Sequence, residues 1–206
     1  MKFAKALYYL QHPQNLQFAL AIKYPKLFSD KQFLKILFRN FMGSELNLKC
    51  PQTFSEKLQW LKLYDHNPQY TQMVDKHEAK KYVASIIGEE YIIPTLAVYN
   101  STKEINLDVL PDKFILKCTH DSGSVAICKD KKTFKTDEAF AMLEKGLQKN
   151  YFWQNREWPY KNVKPRIIAE AYLEDNDTKE LRDYKAMYGY RAFSAETGAA
   201  AVQKLL

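Results

Sequence analysis

The chain has 206 residues, 46% hydrophobic and 14% aromatic, enough for one sizeable core or two small subdomains and too apolar for a disordered chain. No apolar run reaches the ~18–20 residues of a membrane span. Residues 1–10 are broken at Gln11-His12-Pro13 with no small-residue cleavage site after them, so a secretory signal is not expected.

The formal net charge of +7 is unevenly placed. Residues 1–60 hold nine Lys/Arg against Asp30, Glu45 and Glu56, a net of +6, so the basic excess belongs to the N-terminal segment. Residues 14–42 have helical spacing in two pieces that break near Pro25, and the second places Phe33, Ile36, Leu37 and Phe41 on one face. Lysines interleaved with Phe18, Tyr24, Phe28 and Phe38 fit contact with an anionic membrane surface or polymer through residues 1–50. They fit equally a helical surface with solvated lysines. No nucleic-acid recognition motif accompanies the charge, and no nucleic-acid partner is expected.

Thr53 and Glu56 have the spacing of a capping box opening a helix whose apolar face is Leu58, Leu61 and the Trp60/Leu63 pair. Residues 65–68 read as a turn. A helix then runs from an Asp75 N-cap to Gly88, followed by a short strand interrupted by Pro94 and a short helix or loop over residues 103–110. Residues 113–131 read as a hairpin. Phe114, Leu116 and Cys118 alternate with Ile115, Lys117 and Thr119, so Lys117 lies on the face opposite Leu116. The loop between the strands carries hydroxyls, His120 and Gly123; with Lys117 it suits a lid over a polyphosphate, or an ordinary hairpin with a solvated lysine. Residues 136–150 read as a helix with Phe140, Leu143 and Leu147 on one side, residues 166–173 as a strand, residues 174–180 as an acidic turn and residues 181–188 as a strand. Helices and strands recur without a βαβ repeat, so the class is α+β. Cys50, Cys118 and Cys128 are an odd, unpaired set and the four histidines are scattered, which fits a reducing, cytoplasmic setting and offers no metal cluster.

Three segments fit one site. Lys117 and its loop face the phosphates; Lys76 adds a cation beside a helix N-terminus; the strand through Glu170 has backbone groups suited to an adenine edge. These segments belong to a longer series of blocks: Thr53-Phe-Ser-Glu-Lys-Leu-Gln-Trp-Leu-Lys, Val74-Asp-Lys, Ile87-Gly-Glu-Glu-Tyr-Ile-Ile-Pro and Leu110-Pro-Asp-Lys-Phe-Ile-Leu-Lys-Cys-Thr-His-Asp-Ser-Gly-Ser. Arg156-Glu-Trp-Pro-Tyr, Pro165-Arg-Ile-Ile-Ala-Glu and Leu181-Arg-Asp-Tyr-Lys complete the series. In this order they resemble the TupA-like ATP-grasp family of the teichuronopeptide-biosynthesis type, whose members are often labelled polysaccharide-biosynthesis glycosyltransferases.

The resemblance implies ATP and magnesium held between two α+β lobes, an acyl phosphate made from a carboxylate, and an amide formed when an amine displaces the phosphate. It implies that Lys76 and Lys117 neutralise ATP phosphates and that the amides of Ser122, Gly123 and Ser124 cover them. Glu170, Ala171, Tyr172 and Leu173 would form the hinge against adenine and ribose, and Lys185 would reach the phosphates from the second lobe. No catalytic residue is assigned. The domains expected are a basic helical segment (1–64), a first ATP-grasp-type lobe (65–165) and a hinge strand with only the start of a second lobe (166–206). Residues 186–206 do not resemble the family's lobe with its acidic magnesium ligands; Glu196 is a lone carboxylate there. The expectation is therefore a truncated ligase of bacterial surface-polysaccharide biosynthesis that binds ATP weakly, with an anionic polysaccharide as acceptor. Its expected place is the cytoplasm, peripheral at the inner membrane face. The alternatives are a glycosyltransferase of the same pathway and a non-catalytic protein that binds a membrane surface or polyanion.

Overall fold

Pro25 divides the N-terminal helical pattern, as its fixed φ and missing N–H require. Helix α1 spans Pro13–Lys23, a 3-10 turn spans Pro25–Leu27 and α2 spans Asp30–Met42. A capping box opens α2: the Ser29 hydroxyl accepts from the Gln32 amide while the Gln32 side chain accepts from the Ser29 amide. The buried stripe of α2 is Phe33, Leu34, Leu37 and Phe38, packed with Ala21 and Leu46. Phe41, expected on that stripe, is exposed and meets Phe18 edge-on at 5.7 Å between ring centroids. Phe41 lies in the last turn of α2, beyond the buried residues of the stripe.

The computed structural model describes residues 13–174. The chain divides into two compact units, Met1–Ala171 and Tyr172–Leu206, and the elements described all lie in the first. Helix α3 (Phe54–Tyr64) starts at the Thr53–Glu56 capping box, α4 (Gln69–Val74) is short, and α5 (Lys76–Ile87) is capped by Asp75, whose carboxylate accepts from the amides of His77 and Glu78. Strand β1 (Thr95–Tyr99) begins immediately after Pro94, which cannot donate to a ladder. Two 3-10 turns, Thr102–Glu104 and Leu107–Val109, lead to β2 (Phe114–Cys118) and β3 (Val125–Cys128). Then come α6 (Thr136–Leu147), α7 (Phe152–Asn155), a 3-10 turn at Trp158–Tyr160 and β4 (Ile167–Ala171).

The four strands form one sheet in the order β1-β4-β2-β3, every neighbouring pair antiparallel. With the helices this makes an α+β fold. Period-two alternation sorts the side chains. Phe114, Leu116, Cys118, Ala126, Cys128, Ile167, Ala169 and Tyr99 share one face and bury against Ala139 and Leu143 of α6. Each large apolar side chain buried there contributes about 1.5–3 kcal/mol. The other face carries Ile115, Lys117, Val125, Ile127, Ile168, Glu170, Val98 and Thr95, as the strand registers require. Val98, Val125 and Ile127 are exposed on it.

The N-terminal helices are joined to the rest of this unit by Arg156. Its backbone is left-handed at φ 55°, and it is fully buried. The guanidinium pairs with Asp30 at 2.7 Å, donates to the carbonyls of Pro25 (2.6 Å), Phe28 (3.3 Å) and Trp153 (3.1 Å), and lies 4.1 Å from the Phe33 ring centroid. Burial pushes its pKa down, and Asp30 opposes that shift.

Candidate functional site on the open sheet face

Lys117 stands on the open face, one residue before β2 ends. Beyond it the chain turns through residues 119–124 and returns at Gly123, whose φ of +110° is a conformation that side chains rarely adopt. Ser122 and Gly123 are exposed at the tip, while Ser124 is buried behind them. The loop is braced from several sides. The Cys118 amide donates to the Ser124 carbonyl (3.0 Å), the Val125 amide to the Gly123 carbonyl (3.0 Å) and the Ser124 hydroxyl to the Asp121 carboxylate (2.5 Å). His120 is buried with Nε2 at 3.1 Å from the carbonyls of both Gly146 and Lys149, so Nε2 carries a proton.

Lys76 braces the same loop. Its ammonium donates to the carbonyls of Cys118 (2.9 Å) and Asp121, and its amide donates to the Thr119 carbonyl (3.0 Å). Helix α5 is thereby fastened by its first residue to the tip of the hairpin. Burial lowers the Lys76 pKa and neighbouring Lys117 adds to the effect, against the pull of Asp121. The structure brings Lys76 and Lys117 to one site, but it places Lys76 beneath the loop, holding its carbonyls.

Strand β4 is an inner strand of the sheet, and the Glu170 side chain is 3% exposed between two ammonium groups. Lys117 lies 2.5 Å from one carboxylate oxygen and Lys80 lies 2.5 Å from the other. Lys80 is the member of this arrangement that sequence reasoning missed. It follows Lys76 by one helical turn, and that i, i+4 spacing was the available signal. Its ammonium also donates to the Ile93 carbonyl (2.6 Å) and the Thr95 hydroxyl (3.0 Å).

At the start of β4, Arg166 clamps the N-terminus of α5, reaching Asp75 at 2.7 Å and Glu78 at 3.0 Å. Burial works against the Glu78 charge, but hydrogen bonds from Arg166 and Lys81 outweigh it and hold the carboxyl below the usual glutamate range. The same two carboxylates keep the Arg166 pKa raised despite its burial.

Strand β4 is bonded on both sides, and the Ala171 amide continues the pattern by donating to the Pro94 carbonyl at 3.0 Å. Tyr172 and Leu173 follow it in the chain and open the second unit. Lys185, Glu196, the strand expected over residues 181–188 and the incomplete second lobe lie outside the described residues.

No group of three or more His, Cys, Asp or Glu side chains among the described residues could hold a metal ion. Glu170 is paired with Lys80 and Lys117 and Asp75 with Arg166, while Asp121 accepts from Ser124 through one oxygen and keeps the other buried without a hydrogen-bond partner. These residues therefore do not fit magnesium. Lys117 and the exposed Val125 and Ile127 share one face of the sheet, at the end of the hairpin that turns through Gly123. Among the described residues no helix is long and apolar enough to cross a membrane.

A family model described as TupA-like ATPgrasp matches residues 56–196. No protein with a curated description matches the chain, and neither does any solved structure.

Proposed function

Since the chain belongs to the TupA-like ATP-grasp family, we propose that its open sheet face binds ATP for a carboxylate–amine ligase of bacterial surface-polysaccharide biosynthesis. In that reaction a carboxylate oxygen attacks the γ-phosphorus and ADP leaves. An amine nitrogen then attacks the acyl carbon and expels phosphate, leaving an amide. The chemistry needs charge neutralisation and positioning more than covalent help from the protein. Lys117 neutralises a phosphate, the amides of Ser122, Gly123 and Ser124 cover the phosphates, and Lys76 keeps that loop in shape. Glu170 and Ala171, at the end of β4, stand beside adenine. Magnesium accompanies ATP in this family, and the described residues give it no carboxylate set. The acceptor is an anionic polysaccharide.

The observation that supports this reading best is the pairing of the partly exposed Lys117 with the buried Glu170 beside the Gly123 turn. Calorimetric titration with ATP tests it. The chain is expected to bind ATP, and Lys117→Met to weaken binding by about tenfold or more, the worth of one charge-assisted phosphate contact of ~1.4 kcal/mol or above. Lys117→Met leaves Lys80 on Glu170, so the variant should fold. Binding of a UDP-sugar in place of ATP would support the glycosyltransferase instead.

We also propose that residues 1–50 make a peripheral contact with anionic membrane at its cytoplasmic face. The support is the end of α1 and the turn after it, where Leu27 is 78% exposed and Tyr24 and Ile22 are exposed beside Lys23 and Lys26.

A further inference from the structure

We infer that Lys80 is a positioning residue for nucleotide binding: it holds the Glu170 carboxylate so that Lys117 can leave it for a phosphate. The inference rests on the ATP reading above. Glu170 is enclosed, and a carboxylate so placed must keep a cation beside it. With one lysine only, every excursion of that lysine toward a ligand would strand the carboxylate, and the carboxylate would hold the lysine back. Two lysines remove this conflict, provided that one is fixed and the other is free to move.

The geometry assigns those roles. Lys80 is fixed by three partners: it forms an ion pair with Glu170 at 2.5 Å and donates to the Ile93 carbonyl at 2.6 Å and the Thr95 hydroxyl at 3.0 Å. Among the described residues Lys117 has Glu170 alone, at 2.5 Å. Its side chain is also the more exposed, 23% against 17%, and it borders the turn at Gly123. Helix α5 thus presents Lys76 to the loop carbonyls and, one turn later, Lys80 to the carboxylate. The segment that shapes the loop also keeps Glu170 neutralised.

Calorimetric ATP titrations on the unmodified chain, Lys80→Met, Lys80→Arg and the Lys80→Met/Glu170→Gln double variant test the assignment. Lys80→Met should bind ATP about tenfold more weakly, within the 5–150-fold range of ordinary site coupling. Lys80→Arg keeps a cation on Glu170 and should bind nearly as the unmodified chain does. The double variant should regain most of the lost affinity, because a neutral amide no longer retains Lys117. A lysine with a merely structural role would lower the melting temperature without this rescue. Unchanged ATP affinity in folded Lys80→Met, or a double variant no better than Lys80→Met, overturns the inference. If Lys80→Met does not fold, the double variant, which buries no unpaired charge, still decides by its affinity. Failure of the unmodified chain to bind ATP overturns the nucleotide reading itself, and this inference with it.

Discussion

Two buried thiols and one exposed thiol give this chain an internal report on its hairpin. Cys118 ends β2 beneath the loop, where burial pushes its pKa up to about 12; Asp121 adds to the shift, and Ser124 and Lys76 oppose it. Cys128 on β3 is also buried with a raised pKa, while Cys50 is exposed. Since the thiolate is the nucleophile, a group with a pKa near 12 is almost wholly protonated at neutral pH. Iodoacetamide should therefore label Cys50 in the native protein and reach Cys118 and Cys128 only on unfolding, as read by intact mass against denaturant concentration. Early labelling of Cys118 would show that the hairpin opens locally. The same enclosure explains why Lys76 matters: its ammonium satisfies two loop carbonyls that would otherwise lie poorly paired.

The hairpin, α5 and α6 are held together by features that act between elements. Gly146 lets α6 approach the loop. A Cβ there would stand 2.5 Å from the Ser124 hydroxyl oxygen and 2.8 Å from the Cys118 sulfur. Ser124 is pinned by Asp121 and cannot easily yield. Alanine would gain up to ~1 kcal/mol of helix propensity, but overpacking costs about 1–3 kcal/mol, so Gly146→Ala should be destabilising in urea unfolding. The clamp of Arg166 on Asp75 and Glu78 joins α5 to β4 and has a pH signature. A carboxyl whose folded pKa is lowered stabilises the fold above its unfolded value. That contribution is lost as pH falls through the folded value. Glu78→Gln should thus cost up to about 1 kcal/mol at neutral pH, the size expected of a partly exposed pair. The difference from the unmodified chain should close as pH drops below the ordinary 4.5, measured by melting temperature against pH. These elements were legible where their signals are local: the Thr53–Glu56 box, the Asp75 cap and the alternation that puts Lys117 opposite Leu116. Lys80 on Glu170 and Arg156 on Pro25 and Phe28 were not, because each joins segments far apart in sequence and periodicity carries no information about such pairs.

At the scale of the whole molecule, charge and core have to be read together. The basic excess of residues 1–60 was plain from composition, and so was the helical character of that segment. Its role in the first unit was not, since only the fold shows that Arg156 draws on Asp30, the Pro25 and Phe28 carbonyls and the Phe33 ring. Removing residues 1–50 to test a membrane contact would strip a fully buried arginine of most of its partners. A buried guanidinium left without these partners is strongly destabilising, so lost binding would not separate a membrane contact from an unfolded protein. Charge reversal avoids the problem, because Lys23, Lys26 and Lys31 are exposed and none of them lines the core of Phe33, Leu34, Leu37 and Phe38. Each lysine close to an anionic bilayer contributes about 1 kcal/mol. The triple variant K23E/K26E/K31E should then bind phosphatidylserine vesicles at least ~100-fold more weakly, at about 1.4 kcal/mol per tenfold. Added salt should weaken the unmodified protein's binding in the same direction, because these charges are exposed to screening. Sedimentation with phosphatidylserine vesicles, and with phosphatidylcholine vesicles as the neutral control, reads both effects. Equal pelleting of the variant and the unmodified chain would leave the N-terminal lysines as a solvated surface around the core that Arg156 anchors.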